Sequence, residues 1–175
     1  FNLSGYFIEK NSNGDSQITF PGGVPILKSG APELPRMARS IIIPDLAHME
    51  LSVIETKYFD IDVENILPSK GNLTRDIDPE TVPYVYGKSY EEDAWYPENF
   101  SFLREPYILR SVRGQAVVFQ PFQYNPKRKQ LRVYTHIKIS VEKNGESQIN
   151  PLTKRPPGFG SREFEYMYQD HFINY

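Results

Sequence analysis

Leu131-Arg132-Val133-Tyr134-Thr135-His136-Ile137-Lys138-Ile139-Ser140-Val141 is the stretch whose pattern decides the fold. Leu131, Val133, Ile137, Ile139 and Val141 alternate with Arg132, Tyr134, His136, Lys138 and Ser140. That is the period of a strand with one face buried and one face wet. Just upstream, residues 107–109 and 112–124 are strand-like as well, with Ala116, Val118 and Phe122 opposite Val117 and Phe119. Asn125-Pro126-Lys127-Arg128-Lys129 between them is a polar reversal, so the two long segments form a hairpin. Its basic turn is too short to be a nucleic-acid footprint. His136 falls on the wet face and reads as a surface histidine.

Composition agrees with strands. Twelve Tyr, eleven Phe and one Trp favour extended structure. Fifteen Pro and eleven Gly interrupt the chain too often for long helices. At 175 residues the expectation is a single domain over 1–175. Net charge is −2, which gives no reason to expect nucleic acid or a membrane surface as partner, and no apolar run approaches the length of a membrane span. Without cysteine there is no disulfide, thiolate metal site or cysteine nucleophile in this chain. The chain begins at Phe1 without an initiator methionine or a leader-like segment, and is read as a processed or recombinant form from which any signal peptide is missing.

Outward from the hairpin, residues 6–9 and 17–20 flank Asn11-Ser12-Asn13-Gly14-Asp15. Asn-Gly supplies the positive φ of a tight turn, so a second hairpin is expected there. Gly30-Ala31-Pro32-Glu33-Leu34-Pro35 is extended. Ile41-Ile42-Ile43 reads as a short buried strand stopping at Pro44, with Arg36 and Arg39 as solvated loop arginines before it. From Met49 to Val63 the odd positions are mostly apolar, which suggests one bent strand with a bulge or two short ones. Asp60, Asp62 and Glu64 lack the spacing of a calcium loop and read as a solvated face. Residues 150–160 look like a linker. Ser161 could cap a short helix reaching about Phe172, with acidic residues in its first turn. Residues 150–175 are therefore a C-terminal linker and helix.

Two segments stand out for function. Residues 67–80 form a polar connection holding Pro68, Gly71, Pro79 and a single arginine, Arg75. The prolines exclude a helix, and a connection of this length inside a domain is more often functional than ordinary. Residues 89–106 hold Tyr90, Trp95, Tyr96, Phe100 and Phe102. Tyr90, Trp95 and Tyr96 could stack on a sugar in a carbohydrate-binding or adhesion module, although rings folded over a core edge are commoner. Catalytic signals are missing: there is no phosphate loop, His-Glu-x-x-His or nucleophile elbow, and His48, His136 and His171 lack ligand spacing. No cofactor and no metal are expected. The residues alone support a mostly β binding domain.

Five segments carry a resemblance. They are residues 30–35, Leu67-Pro68-Ser69-Lys70-Gly71, Val82-Pro83-Tyr84-Val85-Tyr86-Gly87, Ile108-Leu109-Arg110-Ser111-Val112-Arg113-Gly114-Gln115 and Gln123-Tyr124-Asn125-Pro126. Together, with Phe172-Ile173-Asn174-Tyr175 at the end, they resemble the N-terminal pro-domain of the gingipain-type (C25) cysteine peptidases. The resemblance implies an all-β fold, an antiparallel β-sandwich of jelly-roll type with the short C-terminal helix. It also implies a non-catalytic domain that keeps a secreted bacterial peptidase latent and assists its folding, in the periplasm, at the cell surface or outside the cell. The implied partner is the peptidase's catalytic domain, following in the same precursor, with no membrane insertion. In that family a basic side chain of an inhibitory loop enters the S1 pocket. The matching position is Arg75, flanked by Leu73, Thr74 and Asp76, with Lys70 as the alternative anchor. An arginine suits the role because its fork can form two parallel charge-assisted hydrogen bonds to a carboxylate.

Overall fold

The alternating segments become strands. The computed structural model describes residues 1–154 and 162–175. Its strands are β1 (Phe7–Lys10), β2 (Ser16–Thr19), β3 (Val24–Pro25), β4 (Pro35–Ile42), β5 (Ala47–Asp62), β6 (Ser101–Leu103), β7 (Tyr107–Leu109), β8 (Val112–Phe119), β9 (Phe122–Asn125) and β10 (Gln130–Glu146), followed by helix α1 (Arg162–His171). β1 pairs β2; a second sheet has the order β5-β10-β9; the third has the order β3-β4-β8-β6, with β7 also on β8. The fold is all-β and antiparallel with one short C-terminal helix, as expected. The expected helix cap at Ser161 and the prolines of the linker at 156 and 157 lie outside the described residues.

The chain divides into two compact units. One comprises Phe1–Met37, Glu55–Phe100 and Gln120–Lys138; the other comprises Ala38–Ile54, Ser101–Phe119 and Ile139–Tyr175. In the first unit both expected hairpins form. Asn11 Oδ1 accepts from the backbone of Asn13 and Asp15, at 2.9 Å each, and Gly14 takes φ 86°. β9 and β10 pair from Gln130 opposite Asn125 to Val133 opposite Phe122. Their inward side chains join Ile18, Phe20, Ile26, Leu34, Val63 and Ile66 in one core. Each such side chain contributes roughly 1.5–3 kcal/mol by leaving water. The Tyr124 hydroxyl is buried there and donates to Glu64 O at 3.1 Å; burial pushes its pKa up to about 12.

The second unit is built around β8, whose residues are buried on both faces. Arg113 is fully buried and, among the described residues, donates only to main-chain carbonyls. Nε reaches Asn150 O at 2.8 Å, Nη1 reaches Pro44 O at 2.9 Å and Ala47 O at 2.7 Å, and Nη2 reaches Ile149 O at 3.0 Å. Loss of water holds its pKa below the usual arginine value. α1 closes the unit by packing Tyr168 and Phe172 on Val112, with Ile42, Tyr107 and Leu109 alongside. Gly114 makes room for this: a Cβ there would lie 2.6 Å from the Phe172 ring and 2.9 Å from that of Tyr107. Beyond the helix, Asn174 clamps the backbone of Ile42, accepting from its N–H at 2.7 Å and donating to its carbonyl at 3.0 Å.

Three local expectations need correction. β4 starts at Pro35, so Arg36 and Arg39 are strand residues and not loop residues. β5, for which one strand or two were expected, is one strand, with Val53 and Phe59 exposed. The long upstream strand breaks between β8 and β9 at Gln120-Pro121, where proline cannot donate to the ladder. Tyr134, expected on a wet face, is buried with its hydroxyl donating to Gln123 Oε1 at 2.8 Å.

Candidate functional site: the Arg75 loop

The polar connection begins later than the prolines suggest. Ile66, Leu67, Pro68 and Ser69 are all buried, and their backbone is sewn into the first unit. Leu67 N donates to Ser16 O at 3.0 Å, Glu33 N to Leu67 O at 2.8 Å, and Ser69 N to Ala31 O at 2.8 Å. Gly30 N then donates to Ser69 O at 2.9 Å, and Gly30 O accepts from Gly87 N at 2.8 Å. The chain therefore leaves the fold at Ser69 and returns at Gly87, and both points bond to Gly30. This neck needs its glycines. Gly30 has φ 76°, and a Cβ on Gly87 would lie 2.8 Å from Gly30 O.

Between the two neck residues the loop supports itself. Gly71, at φ 86°, donates to Ser69 Oγ at 3.1 Å. Residues 74–77 form a β-turn closed by Ile77 N donating to Thr74 O at 3.1 Å, with Arg75 and Asp76 as its central residues. Asp78 caps a single 3-10 turn at Pro79–Thr81, accepting from Glu80 N on Oδ1 at 3.0 Å. Lys70 Nζ spans the loop, donating to Pro79 O at 2.6 Å and lying 4.2 Å from the centre of the Tyr84 ring. Leu73 is half-buried, whereas Thr74, Arg75, Asp76 and Ile77 are exposed. The Thr74 hydroxyl and the backbone N–H of Asp76 hold the Asp76 carboxyl below the usual carboxylate range. Among the described residues, none forms a hydrogen bond or an ion pair with the Arg75 guanidinium.

An exposed arginine on a braced turn, unpaired among the described residues, offers no chemistry of its own. It offers a fork that a carboxylate at the base of a pocket can take. Among the described residues there is also no group of three or more His, Cys, Asp and Glu side chains placed to hold a metal. A family model described as a C25 propeptide matches residues 2–157. The chain belongs to the C25 propeptide family. It is a pro-domain and not a catalytic domain.

Relatives of the propeptide include gingipain R1 of Porphyromonas gingivalis, 42% identical over 159 residues. That match covers 90% of this chain and 16% of the relative. Gingipain R2 of the same organism is 40% identical over 169 residues, covering 95% of this chain and 23% of the relative. The propeptide thus spans less than a quarter of these relatives' length. Among solved structures, the complex of Porphyromonas gingivalis RgpB pro- and mature domains matches with a TM-score of 0.84 and 36% identity, over 99% of this chain and 90% of that one. A structure concerning zymogenic latency of gingipain K shares the fold, with a TM-score of 0.67 and 24% identity over 80% of this chain and 81% of that one.

The aromatic segment of the propeptide is largely occupied with packing. The Arg132 guanidinium lies 4.3 Å from the Trp95 ring and 4.2 Å from that of Tyr58. It also forms a two-pronged pair with Asp60 at 2.9 and 3.0 Å, which holds the arginine pKa above its ordinary value. Phe100 stacks on Tyr134 at 4.7 Å, and the Tyr90 hydroxyl donates to Ile66 O at 2.6 Å. An open cleft of about 770 Å³ remains beside Trp95, Tyr96 and Lys28. Its buried amide, Gln123, is already bonded to Pro97 O at 2.7 Å and to Tyr134.

Neither the neck nor the bridge from Lys70 to Pro79 is visible in the sequence. Gly30 and Gly87 both fall within the segments that carry the resemblance, but nothing local pairs them. Tyr84 carried a signal, since an aromatic beside a lysine-bearing turn is a natural seat for the cation.

Proposed function

We propose that this propeptide keeps a gingipain-type cysteine peptidase latent by placing the 70–79 loop in its active-site cleft, with Arg75 in the S1 pocket. The observation behind this reading is Arg75 itself: exposed, without a partner among the described residues, and held on a turn whose neck closes on Gly30. A braced loop loses little entropy on docking, and a buried arginine fork paired with a carboxylate is a common interface anchor. Leu73, Thr74 and Asp76 flank it and line the cleft on either side. Residues 1–175 act as one pro-domain in this reading, and residues 150–175 lead toward the catalytic domain, which is the partner. The same surface templates folding of the peptidase, and the pair works outside the cytoplasm, in the periplasm, at the cell surface or beyond it. No described helix is long and apolar enough to cross a membrane.

Lys70 fits the anchor role less well, because its ammonium is already bonded within the loop. A test is protection of the active site. Purified gingipain R incubated with excess propeptide should resist labelling of its catalytic cysteine by a covalent arginyl probe. Labelling at the same rate with and without the propeptide would refute occupancy of the cleft. Refolding of the denatured catalytic domain should give more probe-reactive enzyme with the propeptide than without it; equal yields would remove the folding role.

A further inference from the structure

The geometry points to Lys70 as a positioning residue, a clasp across the Arg75–Asp76 bond that keeps the loop an inhibitor and prevents it from becoming a substrate. This rests on the reading of Arg75 as the anchor. A loop that offers arginine to an arginine-accepting cysteine peptidase also offers the peptide bond after it. The enzyme's thiolate would attack the Arg75 carbonyl, forming a thioester, and the Asp76 nitrogen would take a proton and leave as an amine. Water would then add to the thioester, giving the Arg75 carboxylate and restoring the thiol. Whether the cut becomes permanent depends on how long the new amine stays near the thioester. An amine held in place re-attacks faster than water because its effective concentration is high.

Lys70 lies on the N-terminal side of that bond and Pro79 on the C-terminal side. The 2.6 Å contact from Nζ to Pro79 O therefore joins the two halves directly, inside the Gly30 neck. It is charge-assisted, and the Tyr84 ring, its centre 4.2 Å from Nζ, adds a cation–π contact to the same ammonium. On the C-terminal side, the Asp78 cap fixes Glu80 and Thr81, so the carbonyl that Lys70 holds belongs to an ordered turn. With the clasp, the cut ends remain within a few residues of their original positions. Without it, they are joined only through the neck at Ser69 and Gly87.

The test compares the parent chain with Lys70→Met, Tyr84→Leu, Lys70→Arg and Arg75→Ala. Each is incubated with gingipain R, and both residual activity and chain mass are followed over hours. The parent should inhibit persistently and remain uncut. Lys70→Met should melt like the parent and inhibit comparably at first. It should then lose inhibition as the 75–76 bond is hydrolysed, roughly tenfold faster than in the parent, the effect of losing one charge-assisted bond. Tyr84→Leu should move the same way, and Lys70→Arg, which can still donate to the carbonyl and stack, should restore persistence. Lys70→Met and Tyr84→Leu as durable as the parent would overturn the clasp while leaving the anchor intact. Immediate loss of inhibition in Lys70→Met, with normal melting, would make Lys70 the anchor and also overturn the clasp. Undiminished inhibition by Arg75→Ala would instead refute the anchor on which the inference stands.

Discussion

Arg113 has left water and recovers its hydrogen bonds from the carbonyls of Pro44, Ala47, Ile149 and Asn150, whereas Arg75 keeps its water and has no partner among the described residues. The first arrangement organises the second unit, and the second leaves a fork free for another molecule. Replacing Arg113 with methionine keeps much of its volume but removes the donor from four carbonyls, of which that of Ala47 belongs to a buried residue and those of Pro44, Ile149 and Asn150 to exposed ones. The expected cost is about 1–3 kcal/mol, since one buried unsatisfied group costs about that much and water reaches the others. Urea denaturation measures it from the shift in midpoint at constant slope. A loss under about 1 kcal/mol would contradict the role given to Arg113. Neither arginine could be assigned from its neighbours in sequence. Arg113 sits in a strand-like run that said nothing of four carbonyls from two distant segments, and Arg75 was singled out only by the loop's prolines and the family resemblance.

Elements were legible in proportion to how local their causes are. The β1–β2 and β9–β10 hairpins follow from alternation and from asparagines that cap their own turns, so both were visible in the chain. β4 was not, because Arg36-Met37-Ala38-Arg39-Ser40 carries no alternation; it is a strand because β3 and β8 flank it. β5 was legible as extended chain from its period of two, though one strand or two was left open; it is one strand at the end of its sheet, and Val53 and Phe59 meet solvent. The neck of the Arg75 loop was invisible, as β4 was, since it joins Gly30 to residues far along the chain. It can be tested as an element. In Gly87→Ala the new methyl meets a backbone oxygen, not a pliable side chain, so the loop must shift. The variant should lose about 1–3 kcal/mol of stability and inhibit gingipain R at least severalfold less well than the parent. Unchanged inhibition would mean that the neck does not hold Arg75 in position.

At the scale of the whole molecule, strand pattern and composition were enough for an all-β antiparallel fold with a short terminal helix. The step from binding domain to propeptide came from five short segments in order. Three of them, residues 30–35, 67–71 and 82–87, meet at the Gly30 neck of the first unit, and residues 108–115 contain the buried Arg113 of the second. In the proposed function, inhibition depends on a single exposed side chain, Arg75, carried by this scaffold. The most direct measurement is the inhibition constant of the 175-residue chain and of its Arg75→Ala variant against purified Porphyromonas gingivalis gingipain R, with thermal melting of both as control. The account predicts tight inhibition by the parent, about a hundredfold weaker in the variant (about 2.7 kcal/mol), with unchanged melting. Equal inhibition by the two chains would contradict it.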